Sequence, residues 1–119
     1  MNSSNDSIKQ LTLKICEFRD ARDWAQFHSP KDLAVAITAE SGELLQHFVW
    51  QSAQQSEQRL AERRAEIASE VADVAMLLFE FAHVSGIALG DAITAKLARN
   101  EERYPVAKAH GSNRKYNEL

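Results

Sequence analysis

Two pairs of acidic residues stand where helical periodicity predicts hydrophobic side chains. Glu40 continues an apolar series at helical spacing, and Glu43 lies three residues further on, so both carboxylates share one helix face. Glu70 and Asp73 form a second such pair, beside the apolar series of another predicted helix. If these helices pack antiparallel, the four carboxylates meet, repel one another and lose hydration. A hard cation removes that cost, and because Mg²⁺ also takes substrate phosphates as ligands, the pairs predict phosphate chemistry.

The same four residues have a simpler interpretation. Most charge pairs on amphipathic helices are solvated faces without a ligand. A single E-x-x-E favours that alternative, whereas the second pair, E-x-x-D on another helix, brings the two interpretations into balance. From the residues alone, both stay open.

Hydrophobic spacing predicts four helices to carry these acids. They cover about residues 8–24, 30–50, 60–84 and 91–104, and Ser29 and Pro30 provide a cap and a first helical residue for the second. The polar segment 51–58 has no apolar period and is predicted to be a loop. Residues 1–6 and about 106–119 are expected to be flexible or peripheral.

Composition limits the classes of protein to which the chain can belong. Its 119 residues fit one domain, 1–119, and four Gly and two Pro are too few for the turns of an all-β fold. A net charge of −3 argues against nucleic acid as a partner, and no apolar run is long enough for a membrane span. The N-terminus has no signal-peptide pattern, so we expect a cytoplasmic, all-α domain.

The ordered set of motifs resembles the MazG-like all-α nucleoside triphosphate pyrophosphohydrolases, and within them the dCTP pyrophosphatase branch. The resemblance spans about residues 11–119. The stretches that carry it are 22–28 (RDWAQFH), 40–44 (ESGEL), Trp50, 70–74 (EVADV), 103–105 (RYP) and 114–116 (RKY).

This resemblance implies a fold, a reaction and a cofactor. The fold is a four-helix MazG-like bundle that assembles as a homodimer or homotetramer. The reaction is Mg²⁺-dependent hydrolysis of a nucleoside triphosphate to the monophosphate and pyrophosphate, with Mn²⁺ also tolerated. The metal ligands that it implies are Glu40, Glu43, Glu70 and Asp73. A carboxylate that is not fully committed to the metal can orient the attacking water, so we expect Glu40 and Glu43 to be catalytic, with Glu43 as the general base.

The resemblance also implies a nucleotide pocket. Its base-binding side comprises Trp24, Ala25, Gln26, Phe27, His28 and Trp50, and its phosphate-binding side comprises Lys96, Asn100, Arg103, Tyr104 and Lys115. Aromatic faces stack on bases, and Lys and Arg pair with phosphates. The alternatives are a structural anchor for each Trp, a capping or solvated role for His28, and a surface stripe paired with Glu101 and Glu102 for the cations.

Two positions depart from the dCTP-hydrolysing relatives. Ile15 stands where those enzymes have a His on the first helix, and Leu77 stands where they have a Tyr one turn after E-x-x-D. Both changes remove polar contacts, which weakens discrimination between substrates more than overall binding. We therefore expect dCTP or a 5-substituted analogue as substrate, with selectivity for base and sugar in question.

Several competing interpretations follow from other residues. Glu80 and His83 match the E-x-x-H of di-iron bundles, but one copy is insufficient, and the pair is expected to face solvent or a partner chain. Cys16 is expected to be a buried, unreactive thiol.

Two other functions are considered beside dCTP hydrolysis. One is a non-catalytic module that binds nucleotide or metal, and the other is a related pyrophosphatase that acts on dUTP or phosphoribosyl-ATP.

Assembly is predicted from the third helix. Apolar residues surround it on most sides, so one neighbouring face in a chain of this size is insufficient to cover it. We expect a homo-oligomer with a nucleotide as its only other partner.

Overall fold

Six helices account for most of residues 6–119, the part of the chain that the computed structural model describes; this part contains no strand. The predicted flexibility of residues 1–6 concerns, apart from Asp6, positions outside the described residues. The helices are α1 (Ser7–Ala21), α2 (Pro30–Gln46), α3 (Ala53–Glu62), α4 (Arg64–Val84), α5 (Leu89–Arg103) and α6 (Val106–Ala109), with 3-10 turns at Ala25–Phe27 and Tyr116–Glu118.

The start of α2 confirms the capping prediction. The Ser29 hydroxyl accepts a hydrogen bond from the backbone N–H of Asp32, and Pro30 occupies the first turn. At the start of α1, the Asp6 carboxylate accepts from the backbone N–H groups of Ile8 and Lys9. Side chains local in sequence therefore determine where both helices begin.

The prediction of a loop over residues 51–58 was wrong. Ser52 and Gln55 form a reciprocal capping box, and α3 runs from Ala53 to Glu62. The periodicity missed this helix because its sequence is mostly polar, whereas the capping box marks its start and α3 also packs against α4. A break at Arg63 then separates α3 from α4, so α4 begins at Arg64 and not at residue 60.

The predicted end of the second helix was also too late. The structure ends α2 at Gln46, and residues 47–50 form turns. Trp50 has φ of 64°, a left-handed conformation that cannot continue a right-handed helix. The turn directs the chain from α2 into α3.

The helix α4 is the central element of residues up to Ile87. It packs most extensively against α2, then against α1 and α3. His28, just before α2, contacts Glu80 late in α4, whereas His47, just after α2, contacts Glu70 early in α4. The two helices are therefore antiparallel, which is the arrangement that brings the acidic pairs together.

Few apolar side chains are fully buried within one chain. Leu33, Ile67, Ala82 and the predicted buried thiol of Cys16 form the interior. Other apolar side chains of these helices are only partly buried or are exposed: Phe18 is 46% exposed and Val71 is 50% exposed. A single chain thus leaves much of its apolar surface in contact with water.

Residues Ala88–Leu119 form a second compact unit. Within it, the Tyr104 and Tyr116 rings meet edge to face at 6.1 Å, and the Arg103 guanidinium lies 4.6 Å from the Tyr116 ring centre. These contacts link the end of α5 to the segment that was predicted to be peripheral. Among the described residues, no single helix has both the length and the apolar composition to cross a membrane.

Candidate active site

A cavity of about 280 Å³ opens among α1, the turn that follows it, α2 and α4. This volume is close to the lower end of the range for small-molecule pockets, about 300–1,000 Å³. Apolar, charged and aromatic side chains share its wall, which is lined by Ile15, Phe18, Arg19, Trp24, His28, Glu40, Asp73, Met76, Leu77 and Glu80. Residues predicted for metal and for base binding therefore meet in one cavity.

The acidic pairs are electrostatically coupled around Glu40. Burial raises the pKa of the Glu40 carboxyl above its usual value, and the nearby carboxylates of Glu43, Asp73 and Glu70 raise this pKa further. The Glu40 Oε2 atom is buried and makes no hydrogen bond among the described residues. Negative charge thus accumulates at the meeting of α2 and α4 without a compensating cation from the side chains described there.

His47 accompanies Glu70 at the other end of this group. Its Nε2 atom lies 2.6 Å from Glu70 Oε2, without the angular geometry of a hydrogen bond. Its Nδ1 atom is also buried and unpartnered among the described residues. This contact gives Glu70 an ionic neighbour when the imidazole is protonated.

The four acids fit a divalent cation in chemistry but do not form a finished coordination site. Within residues 6–119, no three acidic, His or Cys side chains converge closely enough to hold a metal. Carboxylate oxygens are nevertheless the ligands that hard cations prefer, and the buried Oε2 atoms of Glu40 and Glu70 accept no hydrogen bond among the described residues. A cation would supply a compensating charge after side-chain rotation.

Glu80 lines the same cavity but, unlike Glu40, is paired with basic side chains. The prediction that Glu80 faces solvent or a partner chain was wrong. It is 3% exposed, with Oε2 2.6 Å from His28 Nδ1 and 3.4 Å from Arg19 Nη1. His83, in contrast, is exposed. Glu80 lies seven residues after Asp73, which is two helical turns on, so the two share the face of α4 that borders the cavity.

The predicted base-binding residues fall into two groups. Trp24 and His28 line the cavity, and the Trp24 ring packs edge to face on Phe18 at 5.8 Å. Trp50 is 96% exposed, Phe27 is 62% exposed, and neither lines the cavity.

The two remaining residues of the segment form the intervening turn. Ala25 and Gln26 belong to the 3-10 turn, where the Gln26 amide donates to the Asp23 backbone carbonyl and carboxylate. The turn thus connects Trp24 to His28 and positions them on the same cavity.

Both departures from the related enzymes lie in this wall. Ile15 on α1 and Leu77 on α4 line the cavity beside Glu40 and Asp73. These two positions, which were expected to lack polar contacts with the substrate, therefore form an apolar part of the cavity wall beside the acids.

The predicted phosphate-binding residues belong to the second unit. Lys96, Asn100 and Arg103 lie on α5, while Tyr104 and Lys115 follow it. Among the described residues, no ion pair joins Lys96, Arg103 or Lys115 to a carboxylate. The phosphate-binding role and its alternative, a surface stripe beside Glu101, Glu102 and their neighbours, both stay predictions.

Sequence reasoning missed three side chains that shape the cavity region: Arg19, His47 and the inward-facing Glu80. Helical spacing contained a signal for two of them. His47 lies four residues after Glu43, and Glu80 lies seven after Asp73, so each shares a helix face with a predicted metal ligand. No local signal indicated that Arg19 lines the cavity, because its partner there, Glu80, is 61 residues away and its local partner is Asp20.

Comparisons with known proteins agree on one family. The sequence profile of the MazG-like family matches residues 35–119. Over 119 residues, the chain is 38% identical to human dCTP pyrophosphatase 1 and 36% identical to the mouse protein of the same name, covering 98% of this chain and 70% of each relative.

A solved structure shows the same likeness in three dimensions. The crystal structure of a pyrophosphatase from Archaeoglobus fulgidus superimposes with a TM-score of 0.81 at 35% sequence identity. The match covers 88% of this chain and 98% of that one.

Proposed function

The chain belongs to the MazG-like family, and on that premise we propose that it hydrolyses dCTP, or a 5-substituted dCTP, to the monophosphate and pyrophosphate. The observation that carries this proposal is the cavity in which Trp24 and His28 share a wall with Glu40 and Asp73. A base-reading group and phosphate-directed acids are thereby within reach of one small ligand. Relatives named dCTP pyrophosphatase support the choice of base. The role we propose in the cell is cleansing of the nucleotide pool.

Glu40, Glu43, Glu70 and Asp73 are the residues proposed to hold the cofactor. Pyrophosphatases of this kind generally use a divalent metal, and we assign Mg²⁺ because oxygen ligands and a phosphate substrate suit it. When bound, such a cation neutralises phosphate charge and activates water for attack on phosphorus. Mn²⁺ has similar ligand preferences and is the expected substitute.

The chain's own residues divide the remaining work. Glu43 is exposed on α2, which leaves its carboxylate able to accept a proton from the attacking water as a general base. Hydrolysis adds that water across the bridge between the α- and β-phosphates, and pyrophosphate leaves. Glu40 lies among the carboxylates of Glu43, Glu70 and Asp73, and a cation bound at the site would balance their combined negative charge.

The base is proposed to stack on Trp24 and to meet His28 at its polar edge, with Ile15 and Leu77 as apolar walls. Trp50 is 96% exposed and does not line the cavity, and its contact with the base stays a prediction. The residues that we propose for phosphate binding are still Lys96, Asn100, Arg103, Tyr104 and Lys115; among them, Lys96 offers a point charge and Arg103 a planar fork of donors.

We also propose that the active form is a homodimer or homotetramer. Large apolar side chains, including Leu78 and Leu97, are about half exposed within one chain. Exposed apolar surface of this extent marks an interaction site. Sedimentation at micromolar concentration tests this assembly, and a monodisperse monomer would contradict it.

The reaction is tested by incubating a panel of dNTPs and NTPs with the protein, with and without Mg²⁺, and resolving pyrophosphate from orthophosphate. We expect pyrophosphate and dCMP from dCTP only when Mg²⁺ is present. Glu66→Gln, an exposed change on α4, serves as the matched control for Asp73→Asn. Absence of turnover with every nucleotide would leave a binding module as the function, and faster turnover of a purine substrate would overturn the base assignment.

A further inference from the structure

We propose that Glu80 is a positioning residue that holds His28 in one orientation and one tautomer toward the base. The link to the base rests on the proposed function, whereas the contact between Glu80 and His28 can be tested without any turnover. Of the residues that the structure describes, Glu80 is the one charged side chain that is buried. A buried carboxylate is costly unless partners compensate it, so its two contacts identify what it does.

The first contact fixes the charge of Glu80. Its Oε2 atom lies 3.4 Å from Arg19 Nη1, and both side chains are largely withdrawn from water. The guanidinium favours the ionised carboxylate, which can only accept hydrogen bonds. Glu80 is therefore an acceptor for whatever else approaches the same oxygen.

The second contact fixes the imidazole. His28 Nδ1 lies 2.6 Å from Glu80 Oε2, so Nδ1 carries the proton and donates it. The hydrogen bond at one ring nitrogen determines the protonation of the other. In the neutral ring, Nε2 is left with a lone pair, on a side chain that lines the cavity.

This tautomer has a consequence for substrate choice. A lone pair on Nε2 accepts a hydrogen bond from an exocyclic amino group and is repelled by a carbonyl oxygen in the same place. Cytosine carries an amino group where uracil and thymine carry a carbonyl. Glu80, acting through His28, therefore favours dCTP over dUTP and dTTP, while the neighbouring Ile15 and Leu77 make no such distinction.

The first test needs neither substrate nor metal. Nitrogen-15 NMR of His-labelled protein reports which nitrogen of a neutral imidazole carries the proton, and His28→Gln assigns the His28 signals among the four histidines. We expect the Nδ1–H form for His28 in the wild type and loss of this preference in Glu80→Gln, whose amide can also donate. Glu66→Gln, on the same helix, should retain it. An Nε2–H form in the wild type, or a ring that carries protons on both nitrogens at the assay pH, overturns the proposal, whether or not any variant folds.

The second test is kinetic. Glu80→Gln should raise the KM for dCTP and lower the preference for dCTP over dUTP by about tenfold, with kcat changed much less. Tenfold is the lower end of the cost of losing the outer hydrogen-bond partner of a metal-bound His, which His28 resembles in having a carboxylate on its second ring nitrogen. In a His28→Gln background the same change should have no further effect, because Glu80 acts through His28. Additive effects would overturn the positioning role. If the wild type hydrolyses no nucleotide, the proposed function fails, and the NMR result still decides whether Glu80 positions His28.

Discussion

Two glutamates line one cavity and are compensated in opposite ways. Glu80 is buried against the Arg19 guanidinium and the His28 ring, so the chain itself balances its charge. Glu40 has a buried oxygen without a hydrogen bond, and the neighbouring carboxylates of Glu43 and Asp73 add to its negative charge. A carboxylate balanced from within serves to hold another side chain, whereas one left unbalanced is suited to a cation from solution.

The largest expected effect comes from removing the unbalanced charge. Glu40→Gln should lower nucleotide hydrolysis by more than about a hundredfold, because loss of an outer partner of a metal ligand already costs up to that much. The metal-free variant should melt at a higher temperature than the wild type, because repulsion among the acids is reduced. Assays with saturating Mg²⁺ and thermal melting in chelator measure the two effects.

Asp73→Asn should behave in the same way, since Asp73 belongs to the same coupled group. Glu66→Gln is the control that changes one exposed acid on α4 and should leave both quantities unchanged. Full activity in Glu40→Gln or Asp73→Asn would contradict the metal-site assignment. Glu40 could then no longer be contrasted with Glu80 as a carboxylate that a cation balances.

The balanced glutamate should respond with the opposite sign in stability. Glu80→Gln removes the buried carboxylate partner of the Arg19 guanidinium and leaves only the exposed Asp20, so we expect the free energy of unfolding to fall by about 2 kcal/mol. Urea unfolding of the metal-free protein measures this change beside that of Glu40→Gln. Equal signs for the two variants would mean that the difference in compensation has no energetic consequence.

The same contrast separates what the sequence could predict from what it could not. Local signals are sufficient for the Ser29–Pro30 helix start and for the face shared by Glu40 and Glu43. They failed for α3, whose polar sequence is stabilised by a capping box and lacks an apolar stripe. The spacing of Ser52 and Gln55 in the sequence is typical of a capping box, but the prediction relied on apolar periodicity and therefore assigned a loop.

Pairings across the fold were beyond local signals. Glu80 meets His28 and Arg19 at sequence separations of 52 and 61 residues, and which turns of α1, α2 and α4 lie opposite one another depends on packing. Spacing from Asp73 indicates the face that Glu80 shares but does not identify its partners. The balanced carboxylate was therefore mistaken for a solvent-facing one, while the unbalanced acids were found from their spacing.

A smaller effect concerns pH and metal binding. Because burial and neighbouring acids raise the pKa of Glu40, protons should compete with a cation at a higher pH than at an ordinary glutamate. Mg²⁺-induced thermal stabilisation should therefore decline as pH is lowered, and Glu40→Gln should remove part of that dependence. In the metal-free protein, the Glu40 carboxyl affects stability with the opposite pH dependence. Because its pKa is raised in the folded state, it increases the free energy of unfolding at low pH, and this contribution is lost as pH rises. Metal-induced stabilisation that is independent of pH would contradict the assignment.

The smallest expected effect uses Cys16 as a reporter of the Glu80 charge. Burial raises the pKa of the Cys16 thiol above its usual value, the Arg19 charge lowers this pKa, and the Glu80 charge raises it. Slow alkylation by iodoacetamide near pH 8 follows, since the thiolate is the reactive form. Glu80→Gln removes one negative charge and should accelerate alkylation, by less than the tenfold that one pKa unit gives. Glu40→Gln should leave the rate unchanged, since Glu40 is not among the groups that shift this thiol. An equal acceleration in both variants would indicate general loosening of the fold, whereas acceleration in Glu80→Gln alone would show that its carboxylate is ionised where it meets Arg19 and His28.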